Sequence, residues 1–149
     1  MGGLGGEAGI EVDAPIEACW ALAQDVESGP RWQDGLEAMN VRERDAEGRV
    51  LVAESVSDAK VRTIKSLVRF SYAEPRQVAW RQERGDLKAM EGAWELEELP
   101  GGRTRVTYRL DVDPGRMLGM LLRGPVEGRL REILVGGRPA EFARRLAHG

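Results

Sequence analysis

Residues 63–72 read Thr63-Ile64-Lys65-Ser66-Leu67-Val68-Arg69-Phe70-Ser71-Tyr72, and their period decides the fold. Ile64, Ser66, Val68, Phe70 and Tyr72 fall on one face and Thr63, Lys65 and Arg69 on the other, the two-residue repeat of a half-buried strand. The same period extends both ways, from Leu36 to Asp113, and its interruptions are hairpin punctuation. Upstream, Met39-Asn40-Val41 leads through Asp45-Ala46-Glu47-Gly48 into Val50-Leu51-Val52-Ala53, and Ser57-Asp58-Ala59 turns into the quoted strand. Downstream, Glu74-Pro75-Arg76 closes it and Val78-Ala79-Trp80 opens a strand that ends at the turn Arg84-Gly85-Asp86. Met90, Gly92, Trp94 and Leu96 then alternate with Glu91, Glu95 and Glu97. Pro100-Gly101-Gly102 turns the chain into Thr104, Val106, Tyr108 and Leu110, opposed by Arg103, Arg105, Thr107 and Arg109. Consecutive antiparallel strands of this kind form a meander with one apolar and one polar face.

The flanks change period. Residues 1–9 are glycine-rich and read as a disordered leader, with a single domain over 10–149 and a short strand from Ile10 to Asp13. Asp13-Ala14-Pro15-Ile16-Glu17 carries the signals of a helix start, and a helix follows to about Asp25 that buries Ile16, Cys19, Trp20, Ala23 and Val26. Ser28-Gly29-Pro30 is expected to break it, leaving room for one further turn at Arg31-Trp32-Gln33-Asp34. After Pro114-Gly115, the stretch Met117-Leu118-Gly119-Met120-Leu121-Leu122 is an apolar helical segment, and Pro125 starts a longer helix of roughly 33 Å to Leu146. Val126, Leu130, Ile133, Gly137 and Ala140 make one stripe of it, whereas Val135, Phe142 and Leu146 fall on the rear. A kink at Gly136-Gly137-Arg138-Pro139 resets the face, or the rear stripe meets a partner.

Scarce residues narrow the chemistry. The 149 residues fit one domain, and 42% apolar with 32% charged residues is a globular composition. The only histidine, His148, lies next to the C-terminus and the only cysteine is Cys19, so no metal site, no disulfide framework and no cofactor is expected. A buried Cys19 reads as an inert hydrophobe. No apolar run has the ~20 residues of a membrane span, and the N-terminus lacks the pattern of a signal peptide, so a cytoplasmic location is expected. Net charge is −3 with a basic tail, 7 basic against 3 acidic side chains over 115–149, which argues against general nucleic-acid binding and suits a basic helix over an acidic sheet. Nineteen arginines against three lysines point to a bacterial, GC-rich coding sequence.

This order of elements, with Val12-Asp13-Ala14-Pro15-Ile16-Glu17 and Trp20, Pro30-Arg31-Trp32, Val78-Ala79-Trp80-Arg81, Glu83-Arg84-Gly85-Asp86-Leu87-Lys88, Glu91-Gly92-Ala93-Trp94 and Thr104-Arg105-Val106-Thr107-Tyr108, resembles the START-related (SRPBCC) polyketide cyclase/dehydrase and lipid-transport superfamily. The later motifs are similar to its coenzyme Q-binding-protein-like branch. The resemblance covers about residues 8–147 and implies an α+β helix-grip fold, shared with the birch-pollen allergen. In it a curved antiparallel sheet of about seven strands wraps a long C-terminal helix.

A bent sheet around one helix leaves a space, and ligand pockets are mostly apolar with a few placed polar groups. The inward set facing that space includes Val68, Phe70, Trp80, Met90, Trp94, Val106 and Tyr108, opposite Leu122, Val126 and Leu130. Ser66, Gln82 and Arg84 share these faces and are candidates to orient a ligand carbonyl or acidic head group, with Arg84 in solvent and Glu54 on the outer face as the bland alternatives. Trp32 is a candidate lid, or a cap on the core. The leading function is a container for a hydrophobic or amphipathic small molecule (lipid, quinone or polyketide-like), as monomer or homodimer; a pocket for such molecules starts at roughly 300 Å³. A polyketide cyclase/dehydrase-type enzyme, with Arg84, Tyr108, Tyr72 or Ser66 as catalytic candidates, is the alternative. An interaction protein using the basic C-terminal helix is a further one.

Overall fold

The quoted stretch is an interior strand of the sheet. A computed structural model describes residues 4–60, 62–121 and 124–148, with the backbone alone described at Leu4, Pro125 and Val126. Strand β4 (Thr63–Ala73) buries Ile64, Ser66, Val68 and Phe70 in strict alternation. Around it lie β1 (Leu4–Val12), β2 (Leu36–Arg44), β3 (Val50–Asp58), β5 (Gln77–Gly85), β6 (Ala89–Leu99) and β7 (Arg103–Asp113). They form one seven-stranded antiparallel sheet in the order β1-β7-β6-β5-β4-β3-β2. The meander from β2 to β7 and the return of β1 onto β7 are the expected α+β helix-grip arrangement.

The residues expected as a leader are an edge strand. Residues 4–9 belong to β1, which pairs with β7 over nine positions from Leu4 opposite Val112 to Val12 opposite Thr104. Glycine there answers to a close approach, since a Cβ on Gly5 would collide with the Leu110 carbonyl oxygen. Only residues 1–3 of that stretch lie outside the described residues.

Helix α1 (Ile16–Gln24) starts at Pro15, and buries Ile16, Cys19, Trp20 and Ala23 against β6 and β7. Thr104, fully buried, ties its start to the sheet by donating from Oγ1 to the Ala14 carbonyl at 2.8 Å. Ser28-Gly29-Pro30 does not end the helical path. It lies within a 3₁₀ helix, Val26–Arg31, whose tighter winding tolerates Pro30 near its end. The turn expected at Arg31–Asp34 is thereby shifted upstream.

Beyond the sheet the chain forms α2 (Arg116–Leu121), α3 (Pro125–Arg131) and α4 (Arg138–His148), not one straight helix. A π-helical turn, Glu132–Gly136, separates α3 from α4, closed by the Gly137 N–H donating to the Glu132 carbonyl at 2.7 Å. The wider turn resets the face, so that Leu130 and Val135, five residues apart, are both buried, and Phe142 two ordinary turns later is fully buried as well. Pro139 sits in the first turn of α4, where its missing N–H has no carbonyl to satisfy. The rear stripe of Val135 and Phe142 is therefore core, and Leu146 packs against it.

Candidate functional site

Between the concave face and the C-terminal helices lies a cavity of about 150 Å³. Of the expected residues, Trp32, Ser66, Val68, Phe70, Trp80, Met90, Trp94, Tyr108 and Leu130 line it. Leu122 lies outside the described residues, as does the side chain of Val126. Val106 is fully buried but not on the wall. The wall reaches the surface at exposed Asp25 and half-buried Asp58, near the 3₁₀ helix.

Aromatic rings make much of that wall. Ring centroids run Phe70 to Trp80 at 6.2 Å, Trp80 to Tyr108 at 5.7 Å, Tyr108 to Trp94 at 4.6 Å and Trp94 to Trp32 at 6.0 Å, with Phe142 4.8 Å behind Trp94. These contacts use tilted and edge geometries favoured by ring quadrupoles. Trp80 lies across Gly92 on the neighbouring strand, where a Cβ would stand 2.7 Å from the indole and from the Arg109 carbonyl oxygen. Trp32 is positioned by its Nε1–H donating to Ser28 Oγ at 3.1 Å and packs edge-on against Phe142. It serves as wall and as core cap together.

The polar candidates separate sharply. Ser66 donates to Gln82 Oε1 at 2.8 Å, and Gln82 Nε2 donates to the Leu87 carbonyl at 2.9 Å, so Gln82 stands behind the wall and the two satisfy each other. Arg84 is not at the cavity. Pairing jumps from Val68 opposite Gln82 to Leu67 opposite Arg84, a bulge at Glu83 that inverts the alternation and turns Arg84 to the outer face. Arg84 instead borders an open, polar groove of about 760 Å³ that shares Leu87, Met90 and Val112 with the cavity. Glu54 also faces outward, accepting from Asn40 Nδ2 at 3.3 Å and lying 3.5 Å from Arg42. Glu95 and Glu97 are paired on that outer face with Arg109 and Arg105. Tyr72 is withdrawn too: its hydroxyl donates to the Val50 carbonyl, and Arg49 stacks 4.6 Å from its ring centroid.

Arg138, which the sequence pattern did not single out, is the charged group inside. Its side chain is 5% exposed, lines the cavity, and donates from Nη1 to the Asp34 carbonyl at 2.7 Å and to Glu141 Oε1 at 2.9 Å. Its Nε is buried with no hydrogen-bond partner among the described residues. The spacing Leu130, Leu134, Arg138 along the cavity wall, every fourth residue, was the available signal. Burial pushes the Tyr108 hydroxyl above the usual tyrosine range, an effect that the adjacent Arg138 guanidinium partly offsets. Tyr108 is therefore a protonated donor at neutral pH. Burial likewise pushes the Cys19 thiol up, an effect that Thr104 partly counters.

Among the described residues no group of three or more His, Cys, Asp or Glu side chains is placed to hold a metal ion, and no helix is long and apolar enough to cross a membrane.

The family described as "Polyketide cyclase / dehydrase and lipid transport" matches residues 12–135. Among solved structures, a START superfamily protein from Mycobacterium smegmatis superposes with a TM-score of 0.80 at 18% identity, covering 97% of each chain. A protein from Thermus thermophilus does so at 0.80 and 21%, again over 97% of each chain. The Zhui aromatase/cyclase from Streptomyces sp. R1128 gives 0.74 at 18%, over 97% of this chain and 94% of that one. At these identities the superpositions establish the shared fold. No curated protein is similar enough in sequence to be matched to the chain.

Proposed function

We propose, from the premise that this chain belongs to the polyketide cyclase/dehydrase and lipid-transport family, that it binds the hydrophobic part of a small molecule between the sheet and the C-terminal helices. The observation that carries this reading is the aromatic-walled cavity itself, lined by Phe70, Trp80, Trp94, Tyr108 and Trp32 beside a buried cation. Its volume of about 150 Å³ falls short of the size expected for a whole ligand and narrows the reading to part of one. That volume is half of the roughly 300 Å³ at which ordinary ligand pockets begin, and close to an apolar cavity that holds a single benzene ring. A quinone-like or polyketide-like ligand would seat one ring in this space and extend its remainder past Trp32 and Asp25. Hydrophobic burial at roughly 25 cal/mol per Å² supplies the affinity.

Native mass spectrometry of the purified protein, followed by organic extraction, tests this, together with an amide chemical-shift titration using ethylbenzene. A co-purifying ring compound, or saturable shifts at the cavity residues, is expected. A protein that carries nothing and leaves ethylbenzene unbound would overturn the reading.

A cyclase- or dehydrase-type reaction is the second reading. It is favoured by the Tyr108 hydroxyl lying beside Arg138, since paired donors of this kind stabilise a developing enolate oxygen. Of the four catalytic candidates, Ser66 and Tyr72 spend their hydroxyl protons within the protein and Arg84 faces outward, which leaves Tyr108, at the cavity beside Arg138. Loss of turnover of a linear polyketide substrate in Tyr108→Phe, with Arg84→Ala unaffected, is the expected result; turnover intact in Tyr108→Phe removes the role.

A further inference from the structure

The hairpin between β5 and β6 does not zip up to its turn. Pairing of the two strands ends at Arg81 opposite Glu91, and the nine residues beyond it divide: Gln82, Arg84 and Gly85 follow β4, whereas Ala89 and Met90 follow β7. The sheet is therefore forked at this end. The facing backbone edges of the two prongs have no strand between them among the described residues, although interior strands are ordinarily paired on both sides. The polar groove of about 760 Å³ occupies the fork, and Leu87, Met90 and Val112 line both it and the apolar cavity. A single layer of side chains separates the two spaces.

That layer hangs on a tip with few attachments. Asp86 holds to β4 by donating its N–H to the Lys65 carbonyl at 2.9 Å and accepting the Lys65 N–H at 2.9 Å, and Lys88 donates its N–H to the Asp113 carbonyl at 2.9 Å. Between them the Leu87 carbonyl accepts from Gln82 Nε2 at 2.9 Å, and Gln82 Oε1 accepts from Ser66 at 2.8 Å. Gly85 makes room for this arrangement, since a Cβ there would stand 2.7 Å from Gln82 Oε1. Leu87 itself is half-buried and packs on the edge of the core. Releasing the Gln82 and Lys88 bonds frees Leu87 to swing outward while the strands on either side keep their pairing. Openings that break so few bonds lie far below global unfolding in free energy. The Trp32 side differs. Arg138 Nη1 donates to the Asp34 carbonyl at 2.7 Å and Glu141 Oε2 accepts the Asp34 N–H at 3.0 Å, which fastens that segment to α4.

We infer that the fork is a second, gated passage into the cavity, with the Leu87 tip as its gate and the hydrogen bonds from Ser66 through Gln82 to Leu87 as its latch. The inference rests on the ligand-binding reading above and adds to it a route by which a small apolar ring enters and leaves. Ser66 and Gln82 are then positioning residues of the gate, in place of the sequence expectation that they orient the ligand.

A removable staple tests it on the full chain. A Cβ on Gly115 would stand 3.6 Å from the Lys88 Cβ, inside the roughly 3.5–4.5 Å span of a disulfide, so Lys88→Cys with Gly115→Cys pins the tip when oxidised. The reduced form of the same protein controls for the strain of a side chain at Gly115, where φ is +83°. The rates of ethylbenzene binding and release are read by NMR exchange spectroscopy. Oxidation is expected to slow both by at least about fivefold, roughly the factor carried by one hydrogen bond, with Kd changed by less than about twofold. Gln82→Met, which deprives Ser66 and the Leu87 carbonyl of their partner, should speed both rates by a similar factor at nearly constant Kd. A Gln82 that only stabilises the fold would lower the urea midpoint without moving the two rates together. Hydrogen exchange of the ligand-free wild type needs no substitution: the Lys88 amide should exchange through a local opening that is insensitive to low urea, and the Val106 amide only with global unfolding. Equal rates in the oxidised and reduced staple overturn the passage and leave the cavity reading intact, as does a Lys88 amide that exchanges only with global unfolding. Ethylbenzene that fails to bind the wild type overturns the cavity reading, and the passage with it.

Discussion

Leu130→Ala tests whether the C-terminal helices close the cavity as a packed wall. Leu130 is fully buried and lines the cavity, so its side chain separates existing empty space from the core around it. The substitution removes three carbon atoms, worth roughly 2.4 kcal/mol at about 0.8 kcal/mol per CH₂. A residual void of about 50 Å³ adds about 1.2 kcal/mol at about 24 cal/mol per Å³. Collapse is opposed because the new space merges with the 150 Å³ already there, whose aromatic lining is interlocked. The expected loss is therefore about 3.6 kcal/mol, or a fall in Tm of roughly 10 °C. Urea unfolding followed by tryptophan fluorescence and far-ultraviolet circular dichroism measures it, with Met120→Ala as control, because Met120 is 65% exposed and should change stability by no more than about 0.5 kcal/mol. Added ethylbenzene should restore more stability to Leu130→Ala than to the wild type, about 2.7 kcal/mol at a hundredfold excess over Kd. A loss under about 1 kcal/mol, or equal rescue of both proteins, would refute the placement of Leu130 between cavity and core.

Three further outcomes follow from the structure. Gly92→Ala sets a Cβ 2.7 Å from both the Trp80 ring and the Arg109 carbonyl oxygen, so a destabilisation of about 1–3 kcal/mol with a shifted tryptophan emission is expected; unchanged emission and stability would contradict that packing. Deleting residues 1–9 removes the β1 positions paired with residues 107–112 of β7 and the Gly5 carbonyl that accepts from Arg131 Nε at 3.2 Å, so a loss of about 3 kcal/mol or more is expected, whereas an unchanged urea midpoint is what a disordered leader would give. Burial raises the hydroxyl pKa of both Tyr108 and Tyr72, with the Asp45 charge adding to the rise at Tyr72. The unfolded chain loses these protons first, above about pH 10, so stability should be flat below that pH and fall as it rises further, an effect weakened in Tyr72→Phe. Urea midpoints across the alkaline range that stay level in the wild type would contradict the burial.

The strands of the meander were legible because alternation is a direct imprint of the pleat: each residue of β4 from Ile64 to Phe70 meets either core or water. The start of α1 was legible for a similarly local reason, since Pro15 and Glu17 act on their own turn. What was not legible came from partners distant in sequence. Residues 4–9 look like a loop by composition, yet β7 supplies the hydrogen bonds and the close approach that make glycine fit at Gly5. Arg84 follows the alternation of Gln82 until the bulge at Glu83, which depends on pairing with β4 and on the Arg69–Glu83 contact across the two strands. Phe142 leaves the expected stripe because of the π-helical turn, whose extra residue no periodicity analysis of a regular helix contains. The cavity volume was not legible either. Alternation says which side chains point inward, and leaves open how Trp80, Trp94 and Tyr108 interlock to fill most of the space.

The two kinds of inward polar group teach different lessons about where function is written. Ser66 and Gln82 come from adjacent strands near one another in the register, so the pairing that brings them inside also brings them within hydrogen-bonding distance, and nothing is left over for a ligand. Arg138 enters from the helix layer, where no register supplies a partner for every donor. Its Nη1 is consumed by closing the Asp34 loop and pairing Glu141, while Nε remains unpaired. An unpaired buried donor costs stability, so among the described residues the unpaired polar group belongs to the helix layer and not to the sheet. The aromatic wall consumes volume, which supports the proposal that only a small, flat part of a ligand enters the cavity.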